Sequence, residues 1–533
     1  MSKSIYLTNT TSTPQSEPLL GRASDMSKNN AGGYAFTLDK WSRLDRFLIL
    51  GTDGGTYYVN EGTLTRENAG VVLECIKEDG LRTVNRIVEV SDGNLAPKND
   101  PAIYALALAA KTGDDATRAL AYKSMPKVCR IGTHLFQFAD AINDLGGWGR
   151  GARKSVANWY LDKEDDKLAY QLVKYRQRDG WSHRDLLRLS HPVAKDEGNG
   201  RLLSYAAGKF SDSPEPLPAV IGAYELAKNA SIQETVGLIK EYNLPREAIN
   251  TEYVNKPEVQ EALLWEMPIT ALVRNLGNLT KSGVLSPFSQ GTVRTIDLLT
   301  DGVRIRKSRI HPMAIYLALS VYASGRSVLG SGEWTPVQSV IMALNEAFYL
   351  SMGNVIPSGK KILYALDTSG SMGGRSYGSP AIHYDTPIAK AAAMALIAAK
   401  TESQYEIIGV DTSIQNVGID PSMRLDQAIA EAGRHGGGGT DLSLPYQYLL
   451  QKGYDVDGIV LYTDSETWAG NFHASEALAL YRRAVPHDVR NAVVSMVPNA
   501  WSVGDTKDPL TLQTIGLDAS LPQTLSAFFR GEF

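Results

Sequence analysis

The hydrophobic spacing of this 533-residue chain changes once, near Pro357. From Tyr34 to about Leu350 the apolar residues recur three or four apart, as in Ala102–Ala110, Leu168–Val173 and Ile310–Val321, with Gly, Asp and Pro between the runs. That spacing belongs to helices. Beyond Pro357, short apolar runs alternate with helix-length ones: Lys361–Leu366 then Thr386–Lys400, Tyr405–Val410 then Leu425–Ala432, Gly458–Tyr462 then Ala474–Ala484, with Ala492–Val497 closing the series. Apolar strands joined by helices call for a parallel sheet covered on both faces. Ligand sites in such sheets lie at the carboxyl ends of the strands.

Because one core serves at most about 250–300 residues, the spacing predicts two domains: an all-α array dense enough in helices for a helical-repeat solenoid over 34–355 and an α/β doubly wound domain over 356–533. No fixed repeat period is visible in the first. Residues 1–33, rich in Ser, Thr, Asn and Pro, predict a flexible arm.

Composition removes several classes. At 43% hydrophobic and 21% charged residues, the chain is neither disordered nor a coiled coil. Two cysteines, Cys75 and Cys129, are too few for a disulfide framework and fit a reducing interior. Met1–Pro18 lacks the apolar stretch of a secretory signal, and Met313–Ala323 falls short of the ~20 residues a bilayer needs. A soluble, cytoplasmic protein without a membrane partner is expected. Net charge is -4, and residues 351–533 carry 13 Lys and Arg against 19 Asp and Glu, so any nucleic-acid site must be a local concentration of charge.

The most specific chemistry is Asp367-Thr368-Ser369-Gly370-Ser371, directly after a strand-like run. Thr440 ends the glycine loop Gly436–Gly439, and Asp464 follows the strand Gly458–Tyr462. Asp367, Ser369, Ser371, Thr440 and Asp464 form a hydroxyl-rich oxygen set suited to one divalent cation, Mg²⁺ first, Mn²⁺ or Ca²⁺ as alternatives, with a position left for a partner's carboxylate or phosphate. Helix capping by Asp367 and the serines would not account for Thr440 and Asp464 at other strand ends. Asp441 reads as the N-cap of a helix Leu442–Gln451. No Ser–His–Asp or Cys–His pattern accompanies the site, and the glycine loop lacks the Lys-Ser/Thr ending of a phosphate loop, so no enzyme is expected.

Basic residues gather in Leu168–His191, with Lys174, Arg176, Arg178, Arg184 and Arg188. Arg184 and Arg188 lie four apart on one helix face. Ser182 and Asp185 form a helix start signal that places His183 in the first turn. Gly146–Tyr160 adds Arg150 and Arg153, Lys127–His134 adds Arg130 and His134, and a third cluster comprises Arg304, Arg306, Lys307, Arg309 and His311. Basic groups interleaved with Trp148, Trp159 and Trp181 suit phosphate contact plus stacking on single-stranded nucleic acid. The competing reading makes the charges solvated surface and the tryptophans core.

The metal motif resembles the adhesion-type cation site of von Willebrand factor A domains, matching all five positions of its D-x-S-x-S, Thr, Asp pattern. The whole chain resembles the Ro autoantigen family, in which a TROVE module joins a ring of HEAT-like helical repeats to such an A domain. Carrying that resemblance are Arg46–Tyr58, Val128–Phe136, Gly146–Tyr160, Lys174–His191, Glu266–Leu276, Arg309–Pro312 and the metal motif. The compact length after His191 resembles bacterial members. The resemblance implies a ring that binds Y-type small RNA on its outer basic surface and a single-stranded 3′ end of misfolded RNA in its hole. It also implies a role in RNA quality control, with an exoribonuclease as a further partner. It points to His183, Lys174, Arg178 and Arg184 as Y RNA contacts. The alternative function is a metal-dependent protein-interaction module for which the ring is only a base.

Overall fold

The computed structural model describes residues 12–532 apart from 38–39, 51–68, 93–98, 179, 210–216, 266, 328–331, 374–383, 436, 498–500 and 516–520. Residues 51–58 of one resemblance motif, the first residue of another, Glu266, and the first glycine of the loop before Thr440 therefore lie outside the described residues.

Helices begin where the sequence supplies caps. The Asp114 carboxylate accepts the N–H of Thr117 at 2.8 Å, and Ser182 with Asp185 forms a reciprocal capping box, as their spacing predicts. Each such cap satisfies amides that the first helical turn leaves without partners. The helices containing the three sample runs extend over Asp100–Thr112, Asp165–Lys174 and Pro312–Ser324. Each helix packs on others near it in the chain, next or a few along, in an unbroken series from Lys40–Leu50 to Gln338–Leu350.

The A domain is built on one sheet. Its strands β5 (Ile362–Asp367), β6 (Tyr405–Val410), β7 (Ile414–Gln415), β8 (Gly458–Thr463), β9 (Arg490–Ser495) and β11 (Thr511–Ile515) lie in the order β11-β9-β8-β5-β6-β7. All neighbours are parallel except the short β7, which runs antiparallel to β6. The series does not close at Val497 as expected. Edge strand β11 and helix Leu521–Arg530 follow it. Polar residues interrupt Thr511–Ile515, whose first three residues are half-buried at the sheet edge, so no continuous apolar run announces it.

Hydrophobic cores do not divide where the spacing changes. One core runs from Leu44 to Ala262. A second begins at Leu264, includes Tyr316 and Phe348, and continues without a break into Ile362, Tyr364, Leu366 and the helix Pro387–Thr401 on one face of the sheet. The other face has its own core around Leu363, Leu449 and Leu478. Side chains cross the seam: the Tyr316 hydroxyl donates to the Tyr384 carbonyl, and the Leu425 N–H donates to the Tyr349 hydroxyl.

The N-terminal segment also departs from expectation. Its described part is no flexible arm: β1 (Met26–Lys28) pairs with β2 (Tyr34–Thr37), and β2 pairs with β10 (Trp501–Ser502) of the A domain. Arg22 bridges bidentately to Asp505 at 2.8 Å. Low apolar content is offset here by backbone pairing and by charged hydrogen bonds, which are stronger than neutral ones. The first helix, Lys40–Leu50, touches β11, while helix Pro312–Ser324 and the turn Ser351–Asn354 near the other end pack on Pro387–Thr401. Both ends of the helical array thus meet the A domain, which closes the ring.

Candidate functional site

Two groups of predicted residues assemble, at opposite kinds of place. At the sheet top, Asp367 ends β5 and its carboxylate is fully buried. One oxygen accepts the Ser369 N–H at 2.9 Å and the other the Thr463 hydroxyl at 2.6 Å. Thr463 ends the neighbouring β8, so Asp464, also buried, follows one residue beyond it. Burial, then the charge of Asp464, then opposed by the Ser369 and Thr463 hydrogen bonds, pushes the Asp367 carboxyl up to about 7. Thr440 is buried on the adjoining loop, which passes the Asp367 loop where Gly437 approaches Gly370. Its carbonyl accepts from the N–H groups of Trp468 and Ala469 and from the Thr467 hydroxyl.

The donor chemistry fits a hard divalent cation. Ser369 Oγ and Ser371 Oγ stand 3.1 Å apart, close to the ~3.0 Å between adjacent octahedral ligands on Mg²⁺ with bonds of 2.0–2.1 Å. Two buried carboxylates near each other are costly without a counter-charge. Among the described residues no three His, Cys, Asp or Glu side chains gather to hold a metal, so this hydroxyl-rich set, with two carboxylates, is the candidate. Thr463, which holds Asp367, escaped the sequence reading. Its signal was the register of β5 and β8, where Leu366 faces Tyr462 and the next residues are Asp367 and Thr463. Asp441 is not the N-cap: the helix runs Leu444–Lys452 from Ser443, and Asp441 accepts the Ser443 N–H and hydroxyl.

The second group lies on the helical array. Strands β3 (Gln177–Arg178) and β4 (Trp181–Ser182) form a hairpin turning at Gly180, whose φ of +80° is the left-handed region glycine tolerates. The hairpin joins helix Asp165–Lys174 to helix His183–Ser190, which packs on Arg150–Leu161. Arg150, Arg153, Arg176, Arg178, Arg184 and Arg188 are all exposed. Arg153 donates to the Leu189 carbonyl at 3.1 Å, which ties the two helices together. Arg176 is held by Tyr224 and the Glu247 carbonyl, and Lys174 lies over the rings of Tyr170 and Tyr175. Arg130, half-buried, donates to the carbonyls of Ser91 and Lys127 and so acts as a brace.

Three histidines depart from the surface reading. His183 is buried, its Nδ1 2.8 Å from the Tyr160 hydroxyl and its ring 4.8 Å from that of Phe136. It shapes the wall behind the basic face, because the amphipathic helix points its first-turn ring inward while Arg184 and Arg188 point out. His134 pairs with Asn99, and buried His311 caps helix Pro312–Ser324 by accepting the Met313 N–H. Trp159 is fully buried and donates to the Cys129 carbonyl. It belongs to the core.

Burial pushes all three histidines down to about 4. Each is therefore neutral in the fold, and protonation favours the unfolded chain. Their stabilisation is complete above about pH 6.5 and erodes as pH falls toward 4, by about 2 kcal/mol at pH 5 for a group as buried as His183. Urea midpoints should therefore drop between pH 7.5 and pH 5, and less so in His183→Gln than in wild type. A pH-independent midpoint would show that these rings protonate freely in the fold.

A helical ring closed by an A domain, with buried hydroxyls and two carboxylates at the sheet top and exposed arginines on the ring, defines the class. Residues 27–244 and 241–326 match the TROVE domain and residues 361–529 the Ro60 vWA domain. The chain belongs to the Ro60 family. It is 40% identical to a protein of Deinococcus radiodurans named RNA-binding protein RO60, over 97% of each chain. To the Caenorhabditis elegans protein of that name it is 31% identical, over 95% of this chain and 90% of that one. The crystal structure of the Deinococcus radiodurans RO (RSR) protein superposes with a TM-score of 0.76 at 39% identity, covering 93% of this chain and all of the other. The names of the two relatives describe RNA binding.

Proposed function

We propose that this chain is a non-catalytic RNA-binding ring acting in RNA quality control and processing. It holds Y-type small RNA on the face formed by Arg150, Arg153, Arg178, Arg184 and Arg188, with Lys174 and Arg176 at its edge, and takes single-stranded 3′ ends of misfolded RNA into its hole. The observation that carries this reading is the exposure of those arginines on two packed helices and on the hairpin that leads into one of them, in a chain whose relatives are named for RNA binding. Arginine forks suit phosphate oxygens. Arg130 acts behind this face, while His134 and His183 support it from the interior. An exoribonuclease is the expected protein partner.

One divalent cation, Mg²⁺ first, belongs to Asp367, Ser369, Ser371, Thr440 and Asp464, where it would neutralise the two buried carboxylates and leave a position for an anionic ligand. The alternative, a protein-interaction module for which the ring is only a base, has no support from the relatives' names. Among the described residues no helix is long and apolar enough to cross a membrane, and the free, buried thiols Cys75 and Cys129 suit the cytoplasm.

Salt titration tests the RNA reading. Binding of a structured hairpin should fall with a log–log slope of about −4 if five phosphates are neutralised, and EDTA should leave it unchanged. A duplex with a single-stranded 3′ tail should bind more tightly than the same duplex blunt. Absence of binding to either RNA at moderate salt would refute the proposal.

A further inference from the structure

The N-terminal segment crosses the loop that carries the cation site. Buried Asn29 donates from Nδ2 to the carbonyls of Ser465 at 3.2 Å and Thr467 at 2.7 Å, while its Oδ1 accepts the Gly33 N–H at 2.9 Å. Beside it, the Asn30 amide and the Ala31 N–H each donate to the Glu466 carboxylate at 3.0 Å. The Gln15 N–H reaches the Gly470 carbonyl at 3.3 Å. Gly33 passes so close that an added Cβ would stand 2.0 Å from the Thr467 carbonyl oxygen, so only glycine fits. Residues 465–470 are held along their length by this strap.

The same loop is fastened on its other side to the cation ligands. The Ser465 N–H donates to the Thr463 hydroxyl at 2.9 Å, which in turn donates to Asp367. Thr467, Trp468 and Ala469 hold the Thr440 carbonyl. Ser465, between the two sets of bonds, has φ +62°, a left-handed conformation that a side-chain-bearing residue adopts only under restraint. Downstream, β2 pairs with β10, and the first ring helix starts at Lys40, three residues beyond β2.

We propose that this strap couples the cation site to the seam where the ring closes, with Asn29 as a positioning residue for the Asp464 loop. The inference rests on the cation reading above. Coupling is reciprocal: whatever favours the bound arrangement of the loop favours the docked strap by the same factor, and a loosened strap weakens cation binding equally. A strap that only adds contact area would make the two independent.

Hydrogen exchange on the full wild-type chain, with and without Mg²⁺, needs no variant. Mg²⁺ should slow exchange of the amides in 26–37 about tenfold, and in Asp367→Ala it should change nothing there. In parallel, Asn29→Ala should weaken Mg²⁺ affinity about tenfold by titration calorimetry. Unaltered strap exchange in a wild type that binds Mg²⁺ overturns the coupling, even if Asn29→Ala does not fold. A wild type that binds no Mg²⁺ overturns the cation reading itself, and the coupling with it.

Discussion

Asp367→Ala is expected to abolish divalent-cation binding while leaving RNA affinity unchanged. Asp367 supplies one of the two carboxylates in the set, and without it Asp464 alone offsets the dehydration of Mg²⁺, since the seryl, threonyl and water oxygens carry no charge. Removing it therefore costs the site most of its affinity. Asp367→Ala leaves the buried Ser369 N–H and Thr463 hydroxyl without their acceptor and so weakens the metal-free protein. The isosteric Asp367→Asn, by contrast, keeps an acceptor there and should stabilise it, because burial and the nearby Asp464 already disfavour a second negative charge. Thermal melts would show both effects: EDTA lowers the midpoint of wild type and leaves that of Asp367→Asn where it was. RNA binding should survive because the basic face is built on the helices Arg150–Leu161 and His183–Ser190, and the site is built on β5 and β8. A tightly held metal in purified Asp367→Ala, seen by elemental analysis, would mean that the ligand set is wrong.

The candidate site was legible because its parts are punctuation: Asp367, Thr440 and Asp464 each stand where an apolar run or a glycine run stops. What could not be read there was Thr463, whose role comes from the register of two strands separated by about ninety residues of sequence. Helix existence was legible from spacing and caps, as at Ser182 and Asp185. Burial around a helix was harder. His183, Arg184 and Arg188 look alike as a basic run, yet a first-turn residue one step around the helix from Arg184 faces Phe136 and Tyr160. The domain boundary near Pro357 marks a change of secondary structure and not of core, since Tyr316 and Phe348 pack into the same cluster as Tyr364 and Leu366. Spacing reports which face of an element is apolar. It is silent on which distant element covers that face, and so on the docked N-terminal strap.

Arg178→Ala, Arg184→Ala and Arg188→Ala together should cost structured-RNA binding on the order of 10²–10³-fold at physiological salt. A charge-assisted hydrogen bond is worth about 1.5–3 kcal/mol, and three of them at the low end already exceed the ~4 kcal/mol that a thousandfold represents. Mutual relief among neighbouring charges and new water contacts reduce the sum, which sets the lower figure. The salt slope should shrink by about 3, one unit per phosphate contact removed. The fold should survive, since all three side chains are exposed, and the packing of the helix that carries Arg184 and Arg188 rests on buried Leu186 and Leu187. A matched control comes from the third basic cluster: Arg306, Lys307 and Arg309 are equally exposed, at the end of the short helix Gly302–Ser308. Replacing those three by alanine removes the same net charge from the ring. If the RNA responds to shape and placement of donors, the control loses less than about threefold, because screening over a Debye length of about 8 Å leaves distant charges little influence. Equal losses in the two triple variants would make binding a matter of overall charge and would remove the hairpin and helix His183–Ser190 from the role given them. A loss confined to the first variant, with the slope reduced, fixes the face and its orientation to the duplex through the phosphates it contacts, leaving the hole free for the single-stranded end.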